Sequence, residues 1–228
     1  MLLVLSAMTA GAAAAQSATE PQEAQRVAEE YLQVWVGAID TDEDWDLSDP
    51  ADGSDLTGDI GTLPYFGGGA QRLYGDRLQF GYEGGGLVTW KNDSTRFYGN
   101  NGGVRIEIDN TLFSTEFYMG GVLSVRLAQW LRIYAGGGPT VAYGYLSDDD
   151  DDSPPDEVSR ASSNVDISFD NHSLSFTLYG RAGFEFETPS GFTFGGHARY
   201  APHEFDFDDG GKLKLDSFQY FLSLGQRL

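Results

Sequence analysis

Apolar and polar side chains alternate along most of the chain, with the period of a β-strand, whose successive side chains point to opposite faces. The clearest run covers residues 173–187. One face of this run carries Leu174, Phe176, Leu178, Gly180, Ala182, Phe184 and Phe186. The other face carries Ser173, Ser175, Thr177, Tyr179, Arg181, Gly183, Glu185 and Glu187. The pattern predicts a strand with one apolar surface and one polar, partly charged surface.

The same alternation predicts eight strands behind the N-terminal segment. They cover residues 31–39, 65–74, 77–90, 112–127, 130–146, 173–187, 191–205 and 215–228. Short and long connections alternate between these strands. The short connections are Gly75-Asp76, Ala128-Gln129 and Pro189-Ser190-Gly191, and the long ones are 40–64, 91–111, 147–172 and 206–214.

Transmembrane barrels of the outer-membrane type have short periplasmic turns and long external loops. The sequence therefore predicts an all-β fold, a closed antiparallel eight-stranded transmembrane β-barrel that forms one domain over residues 31–228. The alternative is a soluble eight-stranded barrel of the lipocalin kind, which also alternates but is apolar inside.

The N-terminal residues have the features of an export signal. A short apolar run from Leu2 to Leu5 is followed by Ala13-Ala14-Ala15, a small-residue cleavage site. We expect a signal peptide over residues 1–15 and a polar linker over residues 16–30. The alternatives are an apolar N-terminal helix and a wrongly assigned start codon, because no Lys or Arg precedes the apolar run.

The composition limits the chemistry that the chain can perform. It has 14 basic and 35 acidic residues, a formal net charge of −21, and no cysteine. Nucleic-acid partners are not expected, because they are bound mainly by Lys and Arg. Disulfides and thiolate catalysis are excluded, and no sequence motif indicates a cofactor.

Charges of both signs lie on the polar faces of the predicted strands. An eight-stranded barrel has an interior just wide enough to be filled by side chains. Unpaired buried charges are strongly destabilising, so we predict a paired ionic core and no wide pore. This predicted lumen charge network consists of Glu83, Glu116, Arg126, Arg132, Arg181, Glu185 and Arg199. Glu187 is expected at the solvated rim.

Two predicted external loops are strongly acidic. Residues 40–59 and residues 147–172 each contain nine Asp or Glu residues. Calcium prefers carboxylate oxygens, but an EF-hand would need Gly and Glu where Trp45 and Ala51 stand. We expect solvated, mutually repelling loops, with weak calcium binding as the alternative hypothesis.

The three histidines are candidates for catalytic or metal-binding roles. Lipid-hydrolysing barrels resemble one another in pairing a lipid-facing His with a Ser two residues later. That position is occupied by Leu174 after His172, by Arg199 after His197 and by Phe205 after His203. No catalytic residue is therefore predicted. We expect His172 in an external loop and His197 in the packed interior; a metal site formed by His203, Glu204, Asp206 and Asp208 is a weaker hypothesis.

Several glycine-rich and aromatic segments carry a family resemblance. They are Tyr65-Phe66-Gly67-Gly68-Gly69, Tyr74-Gly75-Asp76-Arg77, Gly84-Gly85-Gly86, Trp130-Leu131-Arg132-Ile133-Tyr134-Ala135-Gly136-Gly137-Gly138, and the segment from Phe218 to Leu228. The chain resembles the outer-membrane protein β-barrel family, the small eight-stranded group that includes OmpA-like and opacity-type porins.

The resemblance implies a location in the outer membrane of a Gram-negative bacterium, contact with its lipid, and insertion by the outer-membrane assembly machinery. It implies a fold and a location but no single activity. We therefore expect a structural or surface-interacting role, with the acidic external loops contacting a surface ligand. The alternatives are a narrow porin-like channel for small solutes and a lipid-modifying barrel enzyme.

Overall fold

The structure is a computed structural model that describes residues 28–41, 45–48, 54–58, 60–99, 104–148, 170–207 and 211–228. Its strands are β1 (Ala28–Thr41), β2 (Trp45–Ser48), β3 (Asp55–Gly58), β4 (Gly61–Tyr74), β5 (Leu78–Gly99), β6 (Val104–Ala128), β7 (Leu131–Asp148), β8 (Asp170–Glu187), β9 (Phe192–Tyr200), β10 (His203–Phe207), β11 (Gly211–Leu215) and β12 (Phe218–Arg227). The predicted signal peptide and residues 16–27 of the predicted linker lie outside the described residues. In the described part, no helix is long and apolar enough to cross a membrane.

Eight of the strands close into a barrel in the order β1, β4, β5, β6, β7, β8, β9 and β12. Each strand is antiparallel to its neighbours, and β1 pairs with β12 from Tyr31 opposite Arg227 to Ile39 opposite Gln219. Closure gives every wall strand two neighbours, which is required in lipid because unpaired backbone groups are strongly unfavourable there. The predicted fold class is confirmed.

The apolar faces of these strands point outward and the polar faces point inward. Phe176 on β8 is 76% exposed, whereas Arg181 on the same strand is 4% exposed. A barrel that exposes its apolar side chains and buries its charged ones is suited to lipid outside, so the lipocalin-like alternative is wrong.

Several strands are longer than predicted. β5 continues to Gly99 and β6 begins at Val104, so most of the predicted loop 91–111 is a hairpin. β1 begins at Ala28, inside the predicted linker. The predicted strands end where the sequence no longer places apolar residues on the outward face. The backbone alternation nevertheless continues there, with Phe97 buried and Arg96 exposed.

Four short strands extend the barrel wall at the end opposite the short turns. β10, β11, β2 and β3 pair in this order, and β3 joins the far end of β5 at Leu56 opposite Gly99. We call these four strands the cap sheet. The predicted strand 191–205 divides into β9 and β10 around Pro202, which has no N–H to give to a ladder. The predicted loops 40–64 and 206–214 thus contain regular structure.

The cap sheet has the opposite polarity to the barrel wall. Apart from His203, its buried side chains are apolar and form one core with the neighbouring barrel interior; they include Trp45, Leu47, Leu56, Phe205, Phe207, Leu213 and Leu215. Its outward side chains include Asp46, Glu204, Asp206, Lys212 and Lys214. An apolar interior with a charged exterior is suited to water, so this end of the barrel projects beyond the lipid.

Candidate functional site

The barrel lumen contains three stacked ion pairs, each between one arginine and one glutamate. From the turn end upward they are Arg132–Glu185, Arg181–Glu83 and Arg199–Glu116. No side chain in these pairs is more than 4% exposed. The structure therefore brings together six of the seven charged residues singled out from the sequence.

Every pair has more than one hydrogen bond. Arg132 donates through Nε to Glu185 at 2.8 Å. Arg181 donates through Nε to one oxygen of Glu83 at 3.0 Å and through Nη2 to the other. Bidentate pairing of this kind fixes both side chains and satisfies their charge, which buried ion pairs need in order to be stable.

Neutral side chains connect the three pairs into one network. Gln71 accepts from Arg132 at 2.9 Å and donates to Glu83 at 3.0 Å. The Tyr179 hydroxyl donates to Glu83 at 2.8 Å, and its ring lies 5.1 Å from the Arg199 guanidinium carbon. Because these side chains span successive levels, the lumen is bonded along its length as well as across it.

Aromatic rings fill much of the remaining space around the arginines. The Arg181 guanidinium carbon lies 4.7 Å from the Trp35 ring centroid and 5.1 Å from that of Tyr134. The Arg132 guanidinium carbon lies 3.8 Å from the Tyr31 centroid. Such contacts stabilise a desolvated cation electrostatically and exclude water from its faces.

Glycines on the inner face make room for these large side chains. A Cβ atom on Gly85 would lie 2.5 Å from the Tyr118 hydroxyl, and one on Gly136 would lie 2.6 Å from Glu83 Oε1. One on Gly120 would lie 2.6 Å from the Tyr179 hydroxyl. The inward-facing glycines of the glycine-rich segments therefore serve lumen packing.

Arg126, the seventh predicted residue, is in none of the three pairs but joins the network at the turn end, where it donates to the Tyr31 hydroxyl at 3.1 Å. It contacts Glu29 at 2.8 Å and Glu187 at 3.5 Å, and Arg227 contacts Glu187 at 2.7 Å. Glu187 is 8% exposed, so its expected place at a solvated rim is wrong. A cleft of about 400 Å³ lies beside Arg126 and Arg77.

The network contains residues that the sequence does not predict. Glu29 falls in the predicted linker, although it shares the inward parity of Tyr31 and Gln33. Gln33 donates to Glu185 and Gln71 accepts from Arg132, but both are uncharged, so a prediction based on charge does not include them. Extending the alternation of β1 by two residues would have identified Glu29.

The histidines occupy three different environments. His172 lies in β8, not in an external loop, and is exposed beside the rings of Tyr143 and Tyr145. A strand continues there because outward aromatic side chains suit the membrane surface. His197 is buried, with its ring centroid 4.9 Å from that of Trp35. His203 is buried with Nε2 3.5 Å from Glu116.

The hypothetical metal site is not assembled in the described part of the chain. His203 points inward from β10, whereas Glu204 and Asp206 are exposed on its other face, and Asp208 lies outside the described residues. No cluster of three potential metal ligands occurs among the described residues. Most of the two acidic segments also lies outside them. Asp46, which is described, accepts a hydrogen bond from Lys214 at 2.7 Å, and this bond raises the pKa of Lys214.

Apolar side chains of the cap sheet fill the far end of the barrel. The pairing of β8 with β9 ends where Gly180 lies opposite Tyr200. Beyond this point, β10 takes the place of β9 beside β8. The Ser175 and Ser173 hydroxyls accept the backbone N–H groups of Glu204 and Asp206 at 3.2 and 2.9 Å. An apolar core therefore lies above the highest ion pair, and this arrangement is suited to blocking ion and solute passage.

Comparisons with known proteins agree with this architecture. The family model for the outer membrane protein beta-barrel domain matches residues 1–224. No curated protein matches the chain in sequence. Among solved structures, the chain is similar to OprG of Pseudomonas aeruginosa, with 13% identity, a TM-score of 0.53, and coverage of 89% of this chain and 97% of that one.

Two further solved structures are also similar to the chain. Ail of Yersinia pestis, in complex with the heparin analogue sucrose octasulfate, has 12% identity, a TM-score of 0.48, and coverage of 88% of this chain and 99% of Ail. Neisserial surface protein A has 14% identity, a TM-score of 0.42, and coverage of 89% and 98%. At such low identity, similarity of structure concerns the fold alone.

Proposed function

The chain belongs to the outer membrane protein beta-barrel domain family, and from that premise we propose that it is a sealed barrel with a structural, surface-interacting role. It is an outer-membrane protein of a Gram-negative bacterium. The observation that supports a sealed barrel is the lumen, where three Arg–Glu pairs are stacked below an apolar core. Opening a water-filled path would require these buried pairs to separate, which is strongly unfavourable.

The proposed contact surface is the end of the barrel that projects beyond the lipid. The outer face of the cap sheet is charged, with Lys212 between Glu204 and Asp206 at 3.5 and 3.6 Å. The segments 40–59 and 147–172 add nine acidic residues each in sequence. By charge complementarity, the partner at this end carries a cationic surface.

Planar-bilayer recording tests the sealed lumen. Full-length protein, shown to be folded by heat-modifiable gel migration, should give no discrete conductance steps. A reproducible single-channel conductance would instead establish the narrow-channel alternative.

Mass spectrometry of lipid A tests the enzyme alternative. Cells that overproduce the protein should have unchanged lipid A, because no described His pairs with a Ser in the spacing of lipid-hydrolysing barrels. Modified lipid A would establish an enzyme.

Binding to intact cells tests the surface role. Cells that display the protein should bind fluorescent polylysine more than cells without it, and deletion of residues 149–169 should reduce the difference. Polyglutamate of equal length is the control ligand and should not bind. Equal polylysine binding by both cell types would contradict a cationic partner.

A further inference from the structure

One ion pair lies on the lipid-facing side of the barrel, near the turn end. Glu30 on β1 and Arg72 on β4 are opposite each other across the strand pair, and both side chains point outward. Arg72 Nε lies 3.4 Å from Glu30 Oε1, and the two side chains are 44% and 48% exposed. Their outward neighbours along the strands, Leu32 and Ala70, are apolar. An exposed ion pair in such a surface needs a polar environment.

The position of the pair identifies that environment. A charged side chain on the lipid face is strongly unfavourable at the bilayer midplane but is tolerated near the interface. Arg72 lies two residues before Tyr74, where β4 ends, and opposite Tyr82 on β5. The rings of Tyr74 and Tyr82 are 6.5 Å apart, and the Arg72 guanidinium carbon lies 5.7 Å from the Tyr74 ring centroid. Tyrosine side chains are enriched at the level of the lipid headgroups. Because the short turns of such barrels are periplasmic, these headgroups are those of the periplasmic, phospholipid leaflet.

A groove leads from this polar cluster toward the middle of the membrane. Its floor consists of small outward residues on β4 and β5, and its walls are large exposed side chains on β1 and β6. The floor residues are Ala70, Gly68, Gly84 and Gly86, and the wall residues are Leu32, Val34, Met119 and Phe117. From Arg72 to Phe66 the groove is about 20 Å long at the usual rise per strand residue. An extended acyl chain fits this length and this apolar lining.

We propose that the cluster and the groove together bind a zwitterionic glycerophospholipid of the phosphatidylethanolamine type. Arg72 and the Tyr82 hydroxyl take the phosphate, Glu30 takes the ammonium group, and one acyl chain lies in the groove. Adjacent opposite charges match a headgroup that carries both signs. The Glu30 carboxylate would repel an anionic headgroup that has no ammonium group. A choline headgroup has no N–H to donate to the Glu30 carboxylate.

Native mass spectrometry of the full-length, detergent-folded protein tests this site. The protein is offered equal amounts of phosphatidylethanolamine, phosphatidylcholine and phosphatidylglycerol with identical acyl chains. The wild type should retain phosphatidylethanolamine about tenfold more than either competitor, the ratio expected for one charge-assisted hydrogen bond. Equal retention of the three lipids would overturn the proposal.

Variants separate the headgroup contacts from the groove. Glu30→Gln should remove the preference over phosphatidylglycerol, and Arg72→Gln should lower retention of all three lipids. Ala70→Leu, which fills the groove floor, should lower retention without changing the preference. Arg77→Gln, a cation in the adjacent turn, is the matched control and should behave as the wild type. Wild-type preference in Glu30→Gln and Arg72→Gln, both shown to be folded, would also overturn the assignment.

Discussion

The central ion pair of the lumen, Arg181–Glu83, gives the sharpest prediction about stability. Arg181→Met removes the cation and leaves the Glu83 carboxylate in a position where its side chain is 0% exposed. Removing one partner of a buried pair generally costs about 3–5 kcal/mol, because the other charge loses its compensation. Tyr179 and Gln71 still donate to Glu83, at 2.8 and 3.0 Å, and moderate the loss. We therefore expect the lower end of the range, about 3 kcal/mol.

The magnitude has a measurable consequence. A loss of about 3 kcal/mol lowers the ratio of folded to unfolded protein by about a hundredfold. Urea titration in detergent micelles, followed by tryptophan fluorescence and by heat-modifiable gel migration, measures this free energy of unfolding. The double variant Glu83→Gln/Arg181→Met removes both charges and should fall within about 1 kcal/mol of the wild type.

An exposed pair provides the control. Lys212 and Glu204 on the cap sheet have side chains 50% and 55% exposed. Lys212→Met should change the free energy of unfolding by less than about 1 kcal/mol, because water screens exposed ion pairs. If Arg181→Met were as mild as Lys212→Met, or if the double variant were as unstable as the single one, the lumen would be hydrated and the reasoning refuted.

Three further predictions follow from packing. Gly85→Ala places a Cβ atom 2.1 Å from a backbone oxygen and should destabilise the barrel by about 1–3 kcal/mol, whereas Gly180→Ala, with no atom within 4 Å, should be neutral in the same urea titration. Joint Ser173→Ala and Ser175→Ala substitution should speed amide hydrogen exchange in β10; unchanged exchange would contradict the proposed attachment. Trp45→Ala should weaken the cap sheet by about 3–5 kcal/mol and expose it to proteases while heat-modifiable migration persists.

The barrel wall was predictable because lipid imposes one simple pattern on it. In β8, the side chains from Leu174 to Phe186 alternate without interruption, so strand, faces and location follow from the sequence. The ionic core followed as well, since Arg181 and Glu185 share an inward face and a narrow lumen must pair its charges. Which arginine contacts which glutamate was not predictable, because that depends on the tilt and stagger of strands distant in sequence.

The cap sheet was not predicted, because its residues follow a different rule. Where water replaces lipid, the apolar face turns inward, and Trp45 and Leu47 in an acidic segment no longer resemble a membrane strand. Pro202 conceals the end of β9 within an otherwise continuous alternation. Such short strands acquire their stability from contacts with β5 and β8, which lie far away in sequence.

Side-chain hydrogen exchange of the lumen arginines tests the sealed, ion-paired lumen most directly. In nitrogen-15-labelled protein in micelles, the Nε–H signals of Arg132 and Arg181, which are hydrogen-bonded to glutamates at 2.8 and 3.0 Å, are compared with that of the exposed Arg72. After transfer to D₂O, the two lumen signals should persist long after the Arg72 signal has disappeared. Loss of all three signals at the same rate would show that water reaches the ion pairs and would contradict a sealed barrel.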